Sequence, residues 1–463
     1  MSARKSLKPG QIDRTDSGSA ILLIRAGHVL TADEPDHILD GAVAIAGSTI
    51  AGVGPFAELR QLYPSADVFG SARGILLPGL VNCHGHFSEA LIPALGSEAT
   101  LIEWIDRFIK PVAPYLTREM AFAGTVLKGA EMVLSGVTTV NDMFVSAPRA
   151  RTPVTPGVVD GLEALGIRGE VSFGAQDEGG LATLSDIFAE HEALAEAASG
   201  SRRCRFRLGI ATVSGPTDGL LLSSAKAAQS AAWPIHTHFH EVREEVTACR
   251  VRHGVTPIRR AAQAGLLDGE VIAAHCIWLS SDDTDLLARH DVKVAHNPVS
   301  NMILGSGVCP VRRLAGAGVV VGLGTDGAAS NDSQDMLETM KVTGLLQKVH
   351  SLDATLLKAS EIVWMATLGG ARALGLDQRI GSLTVGKDAD LVLLSDQTVS
   401  LATTHDPFEA VVYAAGPRDV VDVWVEGERI VAGGHVVTVD VDAAVDTARR
   451  LSRHLVAKAG LAS

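Results

Sequence analysis

The feature that most constrains this chain is a long alternation between residues 74 and 383. Short β-branched runs there take turns with stretches rich in alanine and leucine. Eight runs read as strands: "GILLPGLVN", "GVTTVNDM", "GIRGEVSF", "RFRLGIA", "WPIHTHFH", "EVIAAHC", "DVKVAHNP" and "VVVGLGTD". Segments between them, such as "TREMAFAGTVLKGAEMVLS", carry helical periodicity, and several end in Gly just before the next strand, where a helix C-cap belongs. Strands that recur with a helix between them must pair in parallel, so the pattern predicts an α/β chain closed into a (β/α)8 TIM barrel over 74–383. An open doubly wound sheet is the alternative, but no GxGxxG follows the first strand.

The flanks follow a different rule. Residues 19–73 and 384–440 alternate apolar and polar positions around Gly-containing turns, as antiparallel hairpins do, and are expected to join into one small composite β-sandwich domain. Residues 1–18 are polar and read as a loose arm without the apolar core of a secretory signal, and 441–463 reads as a C-terminal helix. A hydrophobic content of 46% with 20% charged residues describes a chain that buries a large core. The net charge of −13 carries no offsetting basic stripe, which argues against a nucleic-acid partner, and no window is long and apolar enough for a membrane span. Five scattered cysteines, none in a CxxC pair, argue against a disulfide framework or a cysteine zinc cluster and fit a reducing cytoplasm. A homo-oligomer acting on a small molecule is the expected assembly.

In a barrel, the C-terminal ends of the strands converge on one mouth. Here the first strand ends in His84 and His86, and the fifth in His236, His238 and His240 with Glu241 beside them. The sixth ends in His275, the seventh in His296 and the eighth in Asp326. Seven of the 16 histidines thus fall at strand ends, which scattered structural histidines would not do. An HxH pair alone is a weak signal; it gains weight because imidazoles and a carboxylate from other strand ends reach the same mouth. Such a donor set suits a borderline divalent ion, zinc first, with iron, cobalt or nickel as alternatives. An ion of this kind activates a water as nucleophile, and a neighbouring carboxylate such as Glu241 can carry its proton.

The segments "PGLVNCHGH", "HTHFHE", "AAHC" and "GLGTDGAASND", in this order, resemble the successive signatures of the amidohydrolase superfamily. The resemblance is to its deaminase/chlorohydrolase branch, which includes methylthioadenosine/S-adenosylhomocysteine deaminases, guanine-type deaminases and s-triazine hydrolases. It runs from about residue 20 through the tail "LGGARALGLDQRIGSLTVGKDADLVLL". It implies one divalent ion per chain on His84, His86, His238 and Asp326, and the absence of a lysine in a bridging context implies a single-metal site. It further implies Glu241 as a proton shuttle that also protonates a ring nitrogen, and His275 as a hydrogen-bonding partner of the nucleophile. Metal-bound hydroxide would then attack an amine-bearing ring carbon of a nitrogen heterocycle and release ammonia. Trp104 matches a tryptophan over the pocket of adenosine-type relatives, and His296 and His240 are candidate substrate contacts. Ser330 and Asn331 are expected to hold the loop that bears Asp326, and His236 to touch substrate or else to pack or meet solvent.

Two departures bear on substrate. Ala113 stands where the nucleoside-specific enzymes carry a glutamate for the ribose hydroxyls, and Asp177 and Glu178 occupy a stretch that can carry carboxylate-binding arginines. Loss of a hydroxyl-reading group should broaden or move specificity. The expectation is therefore an aminohydrolase of adenosine-type or other purine-, pterin- or triazine-like compounds. The alternatives are a hydrolase of another leaving group (chloride, alkylamine, or an amide, urea or carbamate bond) and a non-catalytic binding protein on the same fold.

Overall fold

The computed structural model describes residues 21–96, 98–147, 152–178 and 182–461; the expected arm at 1–18 lies outside them. Two parallel five-stranded sheets form the centre. One runs in the order Leu208–Thr212, Ile235–Phe239, Val271–His275, Lys293–His296 and Val321–Leu323. The other runs Asp326–Gly327, Leu80–His86, Val137–Phe144, Arg168–Phe173 and Cys204–Phe206. Strand order follows chain order except where Asp326–Gly327, the last of these strands in the chain, lies parallel beside the first, Leu80–His86, and the two sheets are continuous in sequence at Arg207 and at Gly324–Thr325. Hydrogen bonds span both breaks: Ala211 N–H donates to Ala175 O (3.1 Å) across the first, and Thr325 N–H to Asn82 Oδ1 (3.0 Å) across the second.

The central strands are buried on both faces, as parallel sheets covered by helices are. Every residue of Leu80–His86, Val137–Phe144 and Val271–His275 is buried. The intervening helices start and stop where local chemistry dictates. Thr117 caps Arg118–Leu134 through Met120 N–H, and Gly166, at a left-handed φ of 77°, ends Pro156–Leu165 immediately before a strand. At the N-terminal end of the strands Arg207, fully buried, donates to Glu170 (2.9 Å), Glu270 (2.7 Å) and Leu374 O (2.6 Å).

The flanks make one nine-stranded mixed sheet. Ile21–Leu30 pairs antiparallel with His37–Ala46, which pairs with Thr49–Pro55, and Leu391–Leu394 pairs with Val420–Val425. The two chain ends meet through Ile75–Pro78, which lies parallel to the first strand and antiparallel to Leu391–Leu394. The single strand expected in "GILLPGLVN" is therefore two, one in each sheet system. The chain changes sheets at Gly79, whose N–H donates to Asp390 O (2.9 Å) and where a Cβ would overlap Thr138. The small sheet thus takes in residues beyond 73, where its first segment was expected to end. The C-terminal helix spans Val441–Lys458; Leu451 and Leu455 pack into the main core, and Ser452 Oγ donates to Leu91 O (2.6 Å). Among the described residues no helix is long and apolar enough to cross a membrane.

Candidate active site

The strand ends bring His84, His86, His238, His275 and Asp326 into one buried cluster. Asp326 Oδ1 lies 3.3 Å from His84 Nε2 and 3.4 Å from His86 Nε2, and Oδ2 lies 3.8 Å from His275 Nε2. Two sets, His84–His238–His275 and His84–His86–Asp326, each have donor atoms within 4.8 Å of one another. Glu241 stands beside them, its Oε2 3.5 Å from His275 Nε2. Several of these residues leave their strands at left-handed φ although none is glycine: His275 (71°), Cys276 (51°) and Asp326 (67°). Such conformations persist only where the surroundings over-determine them, and here they coincide with the cluster.

The ring nitrogens facing away decide what the facing ones can do. His86 Nδ1 lies 2.6 Å from Met143 O and His238 Nδ1 2.6 Å from Ala211 O. A carbonyl only accepts, so both Nδ1 atoms carry the proton and both Nε2 atoms present lone pairs. Those two Nε2 atoms lie 3.2 Å apart, with no proton to share. His84 Nε2 is likewise buried without a hydrogen-bonding partner among the described residues, while its Nδ1 rests 2.9 Å from His236 Nε2. Acceptors that face one another out of water repel unless a cation lies among them. The donor set therefore fits a divalent metal, and imidazole with one carboxylate suits zinc.

Electrostatics point the same way. Burial lowers His84 to about 4, and burial with the neighbouring imidazoles holds His238 well below its ordinary value, so both rings are neutral and free to ligate. Burial would raise the Asp326 carboxyl, but it is held well below the usual carboxylate range, and His275 is the neighbour whose charge favours it. Glu241 is raised to about 7 by burial together with Asp326 and Glu245, against the opposing pull of His275. Burial opposes charge on His275 too, yet Glu241 and Asp326 outweigh it and raise its pKa.

The remaining sequence candidates are placed as follows. His236 packs beneath His84, within reach of Ser172 Oγ (3.0 Å) and Asn141 Nδ2 (3.3 Å). His240 is not brought to the cluster: its Nδ1 faces Trp278 O (2.9 Å) and its Nε2 accepts from Ile258 N–H (3.4 Å). His296 is fully buried with neither ring nitrogen partnered among the described residues, close enough to His275 for their charges to act on each other. Trp104 packs in the main core, its indole N–H unpartnered among the described residues. Asn331 Nδ2 donates to Thr325 O (2.6 Å) and Ser330 Oγ to Gly327 O (3.2 Å), bracing the turn around Asp326. Asp177 and Glu178 are not free charges: Asp177 accepts from Thr217 N–H (2.9 Å), and Glu178 pairs with Arg252 (3.0 Å).

Three further residues had no sequence signal. Asn301 Oδ1 accepts from His275 Nδ1–H (2.8 Å), which turns His275 Nε2 toward the cluster. Glu245 Oε2 accepts from the backbone N–H of Glu241 (3.0 Å). Asp142 Oδ1 accepts from Phe87 N–H (2.7 Å), holding the turn that follows His86.

The amidohydrolase family profile matches residues 75–430, the span that carries every member of the cluster. The chain belongs to the amidohydrolase family. A second profile, an imidazolonepropionase-like composite domain of bacteria, matches residues 41–66 of the small sheet. This family member is 37% identical to a 5-methylthioadenosine/S-adenosylhomocysteine deaminase of Desulforudis audaxviator, over 94% of this chain and 99% of that protein. It is 36% identical to a 5'-deoxyadenosine deaminase of Methanothermobacter thermautotrophicus, over 86% of this chain and 92% of that one. Among solved structures, an adenosine deaminase of Xanthomonas campestris with bound zinc superposes with a TM-score of 0.88 at 31% identity, covering 94% of this chain and 98% of the other. Like its relatives, this chain is a hydrolase acting on C–N bonds.

Proposed function

We propose that this amidohydrolase removes an exocyclic amine from a nitrogen heterocycle of the adenosine type, or a related purine-, pterin- or triazine-like ring, and releases ammonia. The observation that carries the reading is the facing pair of Nε2 lone pairs on His86 and His238, 3.2 Å apart beside Asp326, a geometry that calls for a cation. His84, His86, His238 and Asp326 would hold one divalent ion, zinc first, and that ion would supply an activated water to the reaction.

The chain's own groups account for the protons. Glu241, raised to about 7, takes a proton from the attacking water and passes it to a ring nitrogen, which makes the amine-bearing carbon electrophilic. As the C–N bond breaks, Glu241 passes the second proton of that water to the amine, which leaves as ammonia while the ring carbon keeps the oxygen. His275, fixed by Asn301 and facing both Glu241 and Asp326, donates from Nε2 to the oxygen that attacks. The two parallel sheets, joined at Arg207 and at Gly324–Thr325, form a closed eight-stranded barrel that delivers these residues to one mouth.

The decisive experiment is ammonia release from adenosine, 5′-deoxyadenosine, 5′-methylthioadenosine, adenine, guanine and a triazine, using protein of measured metal content. Turnover that disappears on chelation and returns with zinc is the expected result. Chloride or alkylamine release without ammonia would assign the same site to another leaving group.

A further inference from the structure

Each imidazole of the cluster turns one nitrogen away from it, and the partner of that nitrogen sets where the ring carries its proton. For His86 and His238 the partner is a backbone carbonyl, and for His275 it is the amide oxygen of Asn301. His84 differs. Its Nδ1 meets another imidazole, His236 Nε2 at 2.9 Å, and either ring could be the donor. The direction matters because His84 Nε2 lies 3.3 Å from Asp326 Oδ1. A proton on that nitrogen would be drawn to the carboxylate, and His84 would offer the cluster no lone pair.

The surroundings of His236 fix the direction from both ends. Ser172 Oγ lies 2.8 Å from Asp142 O, a carbonyl that only accepts, so the hydroxyl places its one proton there. The same oxygen lies 3.0 Å from His236 Nδ1 and accepts from it, which puts the ring proton on Nδ1. At the other end, Asn141 Nδ2 donates to Cys83 O (2.8 Å), which identifies it as the amide nitrogen, and it also lies 3.3 Å from His236 Nε2. Nε2 therefore faces a donor and holds a lone pair. His236 is neutral, donating at Nδ1 and accepting at Nε2, so the proton between the two rings belongs to His84 Nδ1. The hydrogen bonds run from His84 to His236, on to Ser172 and to Asp142 O, through side chains that are fully buried on the strands Leu80–His86, Ile235–Phe239 and Arg168–Phe173.

We propose that His236 is a positioning residue: with Ser172 behind it, it fixes His84 in the Nδ1–H form, so that His84 Nε2 presents a lone pair to the metal site and not a proton to Asp326. The inference rests on the reading of the cluster as a metal site and adds to it the group that prepares one ligand.

Zinc affinity of the full chain, measured by competition with a chelator, tests it in two variants. His236→Gln can place an amide oxygen where Nε2 stands and accept from His84 Nδ1–H. His236→Leu fills similar space and accepts nothing. Affinity should fall about 10–100-fold in the Leu variant, the usual cost of losing the partner that orients a ligating histidine, and stay near the wild type in the Gln variant. Unchanged affinity in the Leu variant, or an equal loss in both, would mean that His236 only fills space, and either result overturns the proposal. Nitrogen NMR of the metal-free, histidine-labelled wild type, with His84→Gln identifying the signal, needs neither a folded Leu variant nor bound zinc. A proton on His84 Nδ1 supports the proposal, and a proton on Nε2 overturns it. Failure of the wild type to bind zinc counts against the metal reading alone, and the form of His84 then decides.

Discussion

Replacing Glu241 with Gln separates proton transfer from metal binding. The side chain is 7% exposed, with Oε2 3.5 Å from His275 Nε2 and Oε1 3.4 Å from Ser306 Oγ, and its backbone N–H is held by Glu245. Gln has the same shape and can keep the Ser306 contact, so the fold should lose less than ~1 kcal/mol. The amide cannot accept and return a proton. Glu241 titrates near 7 because burial and the Asp326 and Glu245 carboxylates disfavour its charge, which matches it to giving and taking a proton at neutral pH. General acid–base catalysis by one side chain contributes about 10²–10⁴ in rate. At ~1.4 kcal/mol per decade that is about 3–5 kcal/mol of barrier. The assay pairs initial rates of ammonia release with zinc per chain by elemental analysis. The expected variant holds wild-type zinc, melts with the wild type and turns over at least about a hundredfold more slowly. A variant that keeps its zinc and stays within tenfold of wild-type kcat would refute the proton-carrying role; one that loses zinc would place Glu241 among the ligands.

Asp326→Ala and His84→Ala should each lose the ion on gel filtration, and wild-type metal content in either would remove that residue from the ligand set. Ala113→Glu should raise kcat/KM for adenosine relative to adenine if a ribose-reading carboxylate is what that position lacks; an unchanged ratio counts against it. Arg207→Ala leaves Glu170, 1% exposed, without its buried partner and should cost about 3–5 kcal/mol in urea unfolding; a loss under ~1 kcal/mol would show that the ion cluster contributes little. Asp335 caps the helix Met336–Ser351, and burial raises its carboxyl to about 6. Because that folded value lies above the ordinary one near 3.8, the unfolded chain binds fewer protons between about pH 4 and 6, and stability should fall as pH rises through that window. Asp335→Asn keeps the cap without the titration, so its melting temperature should gain on the wild type from pH 4 to 6 and run parallel above 7; parallel curves throughout would refute the assignment.

Much of this protein was legible from local rules. The alternation of strand and helix survives in the structure because each parallel strand is buried on both faces and must be followed by a helix that covers it. The ends of those strands could be read in turn, which is why His84, His86, His238, His275 and Asp326 were expected together and lie together. Pairing between distant segments was not legible. Nothing local in "GILLPGLVN" shows that Ile75–Pro78 leaves for the small sheet, since its partners are the first strand, Ile21–Leu30, and Leu391–Leu394, some three hundred residues away. His240 shows a different limit. An ideal pleat puts it on the face of His238, but its φ of 53° takes it out of the pleat and turns the ring to Trp278 O.

What the sequence determined by itself was the set of chemical groups and the strand ends that carry them, because periodicity and residue type are properties of short segments. The tertiary structure alone decided which nitrogen of each imidazole faces inward. That choice is made by acceptors from other strands, Met143 O for His86, Ala211 O for His238 and Asn301 for His275, and each holds its ring by a bond to Nδ1. Folding closes those contacts across the sheet, and only then do the lone pairs converge.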